Sequence, residues 1–228
     1  MASWMVHLRI ADKLLDRISG LSPVEFIVGN IAPDSGVPNE DWSVFTPSTK
    51  ISHFHSERHK KADPDLFAQK YFTPELQASY DEKQYAFYLG YLVHLMTDVA
   101  WSETILYPAK KKFSSEMAAD PTGFIWKMKE DWYDLDFLYL KEHPGFRAFR
   151  VYLGAVGFEN RYMEEFSTTA FENRRQYITG FYLAGKDGLD RAYPYLTKEE
   201  MDLFVQTTAD KICTIIQDGG AAGTYLNP

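Results

Sequence analysis

The chain has 228 residues, with 24 basic against 32 acidic side chains and a formal net charge of −8. The length suits one large domain or two small ones. A composition 45% hydrophobic and 25% charged excludes a disordered chain. The acidic balance argues against a stable nucleic-acid complex, which needs a basic surface for phosphate contacts. The single cysteine, Cys213, excludes an intramolecular disulfide and a thiolate zinc cluster.

In chain order, residues 5–18 repeat apolar positions at helical spacing and predict an amphipathic helix that Gly20 ends. Residues 24–29 predict a short second helix, and residues 30–50, with Pro33, Gly36, Pro38 and Pro47, predict a loop. Asp63-Pro64 starts a helix to Tyr71 or Phe72. Residues 82–106 are apolar nearly all the way round, the pattern of a central buried helix that Pro108 and Lys110 to Lys112 end in solvent. Helical patterns then recur at 121–141, 144–158, 159–166, 170–192 and 197–217, the last opened by the capping box of Thr197 and Glu200. No alternating strand of convincing length appears. The expected fold is all-α: a single multi-helical domain over 1–228, with about seven to nine helices around the buried one.

The N-terminus lacks the uninterrupted apolar run of a secretory signal, and no window reaches the ~18 apolar residues of a membrane span. A soluble cytoplasmic protein is the expectation. The sequence contains no G-x-x-x-x-G-K-[ST], H-E-x-x-H, G-x-S-x-G or C-x-x-C pattern and no His-Asp dipeptide. Cys213, among Ile212, Ile215 and Ile216, reads as a core residue rather than a nucleophile.

His94 and Asp98 stand at i, i+4 on the most apolar helix, so both project from one face. Buried there, they need compensation, either from a mutual hydrogen bond or from a shared metal. His7 lies among Met5, Leu8 and Ala11 on the first helix; Asp34 closes the apolar loop Gly29 to Asp34; His53 sits between Ile51 and Phe54. Each has a plain reading as well, as a satisfied core histidine or an Asx-turn residue. His55 and His59 lie among Ser56, Glu57, Arg58 and Lys60 and read as surface residues, and His143 before Pro144 reads as a helix start.

Taken together, an early helical His, then G-x-x-A-P-D, then K-x-x-H-F, then G-x-x-x-H-x-x-x-D on a buried helix resembles the zinc-dependent phospholipase C family, which is all-α and related to fungal single-strand nucleases. The matching residues are His7, Gly29 to Asp34, Lys50 to Phe54, and Gly90 to Asp98, within about the first hundred residues. The resemblance implies that one zinc takes Asp34, His53, His94 and Asp98. It implies that a second zinc shares Asp98 and takes His7 together with a free N-terminal amine, the pair holding a bridging hydroxide. The secreted relatives begin with Trp; here Trp4 offers no amine, although removal of Met1 would expose one at Ala2, five residues ahead of His7. The histidines of the family's third zinc have no counterpart, since no His occurs between His94 and His143. Glu103, Glu130, Asp131 and Asp134 are carboxylates that could rebuild it, although the acidic run 130–136 reads first as a solvated face.

The resulting expectation is a metal-dependent phosphodiester hydrolase. One or two zinc ions would be its cofactor, Asp98 the central carboxylate, Lys50 and Arg58 the phosphate-binding cations, and a small phosphodiester or phospholipid-type molecule the substrate. Phe54, Tyr88, Tyr91 and Trp101 are either pocket or core, with core the first reading. The alternative is a non-catalytic helical metal-binding or interaction protein that has lost the third zinc site.

Overall fold

The computed structural model describes residues 1–41, 43–57 and 62–218. More than half of the residues are α-helical, and the described sheet is one two-stranded ribbon. The Ser3 hydroxyl caps α1 (Trp4–Leu15) by accepting from Val6 N–H. Pro23 occupies the first turn of α2 (Pro23–Ile31), where its missing N–H costs nothing. A 3-10 turn over Ala32–Asp34 follows, then β1 (Val37–Pro38), antiparallel to β2 (Phe45–Thr46), and α3 (Thr49–Ser52). Asp63 caps α4 (Pro64–Tyr71), and the short α5 (Pro74–Ser79) leads to α6 (Glu82–Trp101), which the capping box of Asp81 and Gln84 opens. After a π-turn over Ser102–Leu106 come α7 (Tyr107–Lys112), α8 (Ser114–Ala119), α9 (Pro121–Glu142), α10 (Arg147–Gly154), α11 (Ala170–Leu183) and α12 (Lys198–Gln217). No described helix is long and apolar enough to cross a membrane.

α6 is the axis of the molecule: residues 86–99 are all buried, as its all-round apolar pattern requires. Its closest neighbour is α2, and two glycines set the approach. A Cβ on Gly29 would overlap the carbonyl oxygen of Phe87, and one on Gly90 would overlap that of Phe26 and lie 2.8 Å from Asn30 N. The glycines of the two motifs are therefore packing residues that let α2 and α6 touch backbone to backbone. Gly90→Ala is expected to lower stability by about 3 kcal/mol, the upper end of overpacking, because the obstacle is backbone that cannot rotate away. Denaturant unfolding of the variant measures it.

The structure departs from the sequence pattern in several places. Pro108 does not end the central helix; the wide π-turn accommodates it and the chain stays helical to Lys112. Residues 159–166 are loop, not helix. There the Asn160 side chain donates to the carbonyls of Met163 and Phe166 and accepts from Tyr162 and Met163 N–H, taking the bonds a helix would use. α11 stops at Leu183, and Gly185 and Gly188 follow in the left-handed region. The short α5 and α8 lie in stretches that carry no long periodic pattern.

Candidate metal centre

Four segments deliver five side chains to one place. α1 brings His7 and the 3-10 turn brings Asp34. His53 is the residue at which α3 ends, and α6 brings His94 and Asp98 one turn apart. His7, His94 and Asp98 are fully buried, His53 is 1% exposed and Asp34 is 10% exposed. His53 Nε2 lies 3.4 Å from Asp34 Oδ1, 3.4 Å from Asp98 Oδ2 and 3.2 Å from His94 Nε2. His94 Nε2 lies 3.5 Å from Asp98 Oδ2, and His7 Nε2 lies 3.4 Å from Asp98 Oδ1. The His7 and His94 rings stack with centroids 3.8 Å apart. The two oxygens of Asp98 thus face two different groups, one with His53 and His94, the other with His7. Two overlapping sets of side chains, His7–His94–Asp98 and Asp34–His53–His94, could each hold a metal ion.

The residues fit zinc on three counts. Tetrahedral ligands at ~2.0–2.2 Å from an ion stand about 3.3–3.5 Å from one another, close to the separations above. Both nitrogens of His7 and Oδ2 of Asp98 are buried without a hydrogen-bond partner, a costly state that a metal relieves at one His7 nitrogen and at the carboxylate. The outer nitrogens of His94 and His53, though not that of His7, are held as metal-binding histidines require. His94 Nδ1 is 2.8 Å from the Asn30 carbonyl oxygen, and His53 Nδ1 is 3.0 Å from Ser52 Oγ. The first contact makes Nδ1 the protonated nitrogen of His94 and turns its Nε2 lone pair inward.

The electrostatics agree. Burial and neighbouring His94 lower the His7 pKa to about 4, so its ring is neutral. Burial opposes the charge on Asp98, yet the N-terminal amine and His53, His7 and His94 hold its carboxyl well below the usual range. Asp34 is likewise held low against burial by His53 and His94. His53 is the exception: burial would lower it, but Asp34 and Asp98 outweigh that and raise it to about 9, so without an ion its ring holds a proton between the two carboxylates that a metal would displace. The backbone stores strain here: Phe54, next to His53, has φ 54°, held by ring contacts with Phe67, Tyr71 and Tyr91.

Asp34 and His53 lie on the wall of a cavity of about 940 Å³. Trp4, Phe45, Trp126, Trp132, Tyr133 and Phe181 supply much of its apolar lining. The aromatic residues read from the sequence are elsewhere. Phe54 packs against Phe67, Tyr91 gives its hydroxyl hydrogen to the Ser52 carbonyl, Tyr88 donates to the Tyr162 carbonyl, and Trp101 is wholly buried. Lys50 is exposed and is not among the residues that line the cavity. Arg58 and His59 lie outside the described residues. His55 is half-buried and lines the cavity, so it is not a surface residue.

Glu103 and Glu130 are exposed. The acidic run is not a solvated face, since Asp131 and Asp134 are each 2% exposed. Arg191 Nη1 donates to Asp131 at 2.7 Å and Arg191 Nε to Asp134 at 2.9 Å, while Lys186 also pairs with Asp134. Asp131 and Asp134 belong to an ion-pair network, and among the described residues no third group of ligands forms.

Ala2, named from the sequence only as a possible terminal amine, donates its backbone N–H to Asp98 Oδ1 at 2.8 Å; sequence reasoning missed Asn30 and Ser52, which hold the imidazoles. Asn30 and Ser52 lie inside the quoted motifs as unspecified positions, so residue type gave no signal. It also missed Asp136, fully buried, which accepts from Ser3 Oγ at 2.8 Å and Tyr182 OH at 2.7 Å. Burial raises its pKa to about 7, against an ordinary value of 3.8. The folded state therefore binds this proton more tightly than the unfolded chain. No penalty is present below pH ~4; it grows as pH rises toward 7 and is constant above, at roughly 4 kcal/mol. Asp136→Asn is expected to flatten that dependence, gaining stability relative to wild type at pH 8 and not at pH 4, as read by unfolding at the two pH values.

The comparisons with known proteins follow the same residues. A family model described as zinc-dependent phospholipase C matches residues 6–132, more than half of the chain, and the match contains all five converging side chains. No curated protein and no solved structure matches the chain.

Proposed function

The chain belongs to the zinc-dependent phospholipase C family, and from that premise we propose that it hydrolyses phosphodiesters with zinc held by His7, Asp34, His53, His94 and Asp98. The observation that carries the reading is the convergence of these side chains at the cavity wall, their ligand atoms buried and partly without hydrogen-bond partners. When bound, zinc supplies Lewis acidity, polarising a phosphoryl oxygen and bringing the pKa of a water toward ~7.

The chain's own residues do the positioning. Asp34, His53, His94 and Asp98 Oδ2 would make one set of ligands and Asp98 Oδ1 with His7 the start of a second, an assignment that shares Asp98 and is supported by its two oxygens facing different imidazoles, while His94 also lies within reach of both groups. Asn30 and Ser52 fix the imidazoles, and α2 against α6 fixes Asn30. Ala2 N stands beside Asp98 Oδ1; removal of Met1 would turn that amide into an amine that completes the second set. The apolar wall holds the ester and keeps water away from its non-reacting part.

The test is metal content together with hydrolysis of a generic phosphodiester, with and without chelator. Zinc-dependent turnover supports the reading. Bound zinc without turnover supports instead a non-catalytic metal-binding protein, the reading that the missing third group of ligands favours.

A further inference from the structure

A chain with 32 acidic residues places only one carboxylate among the described residues that line the cavity, and that is Asp34, already committed to the metal centre. Its other charged lining groups are all cations: Lys110, Lys129 and Arg174. None of the three makes an ion pair with a described carboxylate, although the other buried or half-buried arginines, Arg9, Arg147, Arg175 and Arg191, all do. Arg174, 7% exposed, is anchored by donating from Nη2 to the Gly36 carbonyl at 2.7 Å, a neutral acceptor that leaves it without a described carboxylate partner. Lys129 is half-buried on α9, and burial lowers its pKa while the charge of Asp34 acts the other way. An ammonium partly withdrawn from water with no counter-ion is a cost that a bound anion removes.

The aromatic faces point the same way. A quaternary ammonium is recognised by aromatic rings whose negative faces are open. Here Lys129 Nζ lies 5.0 Å from the centroid of Trp126, and the Arg174 guanidinium lies 6.0 Å from Trp4 and 5.6 Å from Tyr177. Three of the rings lining the cavity thus already face a cation, and a cationic headgroup entering beside them would meet like charge.

We propose that the cavity is an anion-selective substrate site in which the Lys129 ammonium takes a phosphoryl oxygen of the ester. The substrate is then a phosphoester whose group beyond the phosphorus is neutral or anionic, not one bearing a quaternary ammonium. The proposal rests on the reading of the cavity as the substrate site of a phosphoesterase, and it assigns Lys129 a role in binding and specificity rather than in holding metal.

The experiment uses the full chain loaded with zinc. Inorganic phosphate is titrated calorimetrically into wild type, Lys129→Met and Lys129→Arg, with zinc content measured on each. Initial rates are taken on two p-nitrophenyl phosphodiesters with the same leaving group, one of phosphorylcholine and one of phosphorylglycerol. Lys129→Met is expected to weaken phosphate binding about tenfold or more, as loss of a charge-assisted hydrogen bond does, with zinc content unchanged and Lys129→Arg close to wild type. Wild type is expected to prefer the glycerol ester, and Lys129→Met to lose that preference through KM. The proposal is overturned if folded, zinc-replete Lys129→Met binds phosphate as wild type does, or if wild type prefers the choline ester. The ester comparison on wild type needs no variant and decides even if Lys129→Met fails to fold. If neither ester is hydrolysed and phosphate binding still falls in Lys129→Met, the hydrolase reading fails and the anion site stands.

Discussion

Asp98→Asn is expected to lower phosphodiester turnover on the order of 10³-fold and to remove most of the bound zinc, because in the proposed arrangement one carboxylate serves both ligand sets. Asp98 Oδ2 stands 3.4 Å from His53 Nε2 and 3.5 Å from His94 Nε2, and Oδ1 stands 3.4 Å from His7 Nε2. Asparagine keeps the shape but offers one neutral acceptor and one NH₂ in place of two charged oxygens. The NH₂ must then face an imidazole ring or Ala2 N–H. His7→Ala removes a ligand from the second set only, so it should leave the first set able to hold an ion. The order of damage is the test: Asp98→Asn loses more zinc than His7→Ala, and both lose turnover. Elemental analysis and initial rates on the two folded variants measure it. Wild-type zinc and wild-type rate in Asp98→Asn would make the carboxylate structural.

Removing zinc with a chelator is expected to abolish turnover and to lower the melting temperature by roughly 10 °C. The stability loss follows from linkage: an ion bound at a thousandfold excess over its Kd contributes about 4 kcal/mol, and a chain of this size shifts ~2–4 °C per kcal/mol. The physical source is visible in the site. Without an ion, His7 and Asp98 Oδ2 have no hydrogen-bond partner, and three imidazoles and two carboxylates share one buried space. Thermal melts with chelator and after zinc is restored read the effect, and recovery of both activity and melting temperature distinguishes metal loss from irreversible unfolding.

The parts of the molecule legible in the sequence are those where one physical constraint dominates. Residues 86–99 lie buried on all sides in α6, as a helix apolar nearly all the way round requires. Thr197 and Glu200 form the capping box that their spacing announces. The ligand candidates were legible because His or Asp in apolar surroundings must be compensated, and G-x-x-A-P-D and G-x-x-x-H-x-x-x-D place them beside glycines that the close α2–α6 approach requires. What failed was decided by distant partners. Asp131 and Asp134 look like a solvated face until Arg191 folds back on them. The cations that do line the cavity, Lys110, Lys129 and Arg174, carry no local pattern that marks them, whereas Lys50 is exposed outside it. Residues 159–166 have helical periodicity, and one side chain, Asn160, overrides it.

The central claim is that these side chains hold zinc in the place where they converge. Anomalous diffraction from crystals of the zinc-loaded protein, measured at the zinc absorption edge, tests it most directly. The account predicts a peak about 2.0–2.2 Å from ligand atoms of Asp34, His53, His94 and Asp98, with any second peak between Asp98 and His7. A zinc-loaded crystal with no anomalous peak among these residues would contradict it.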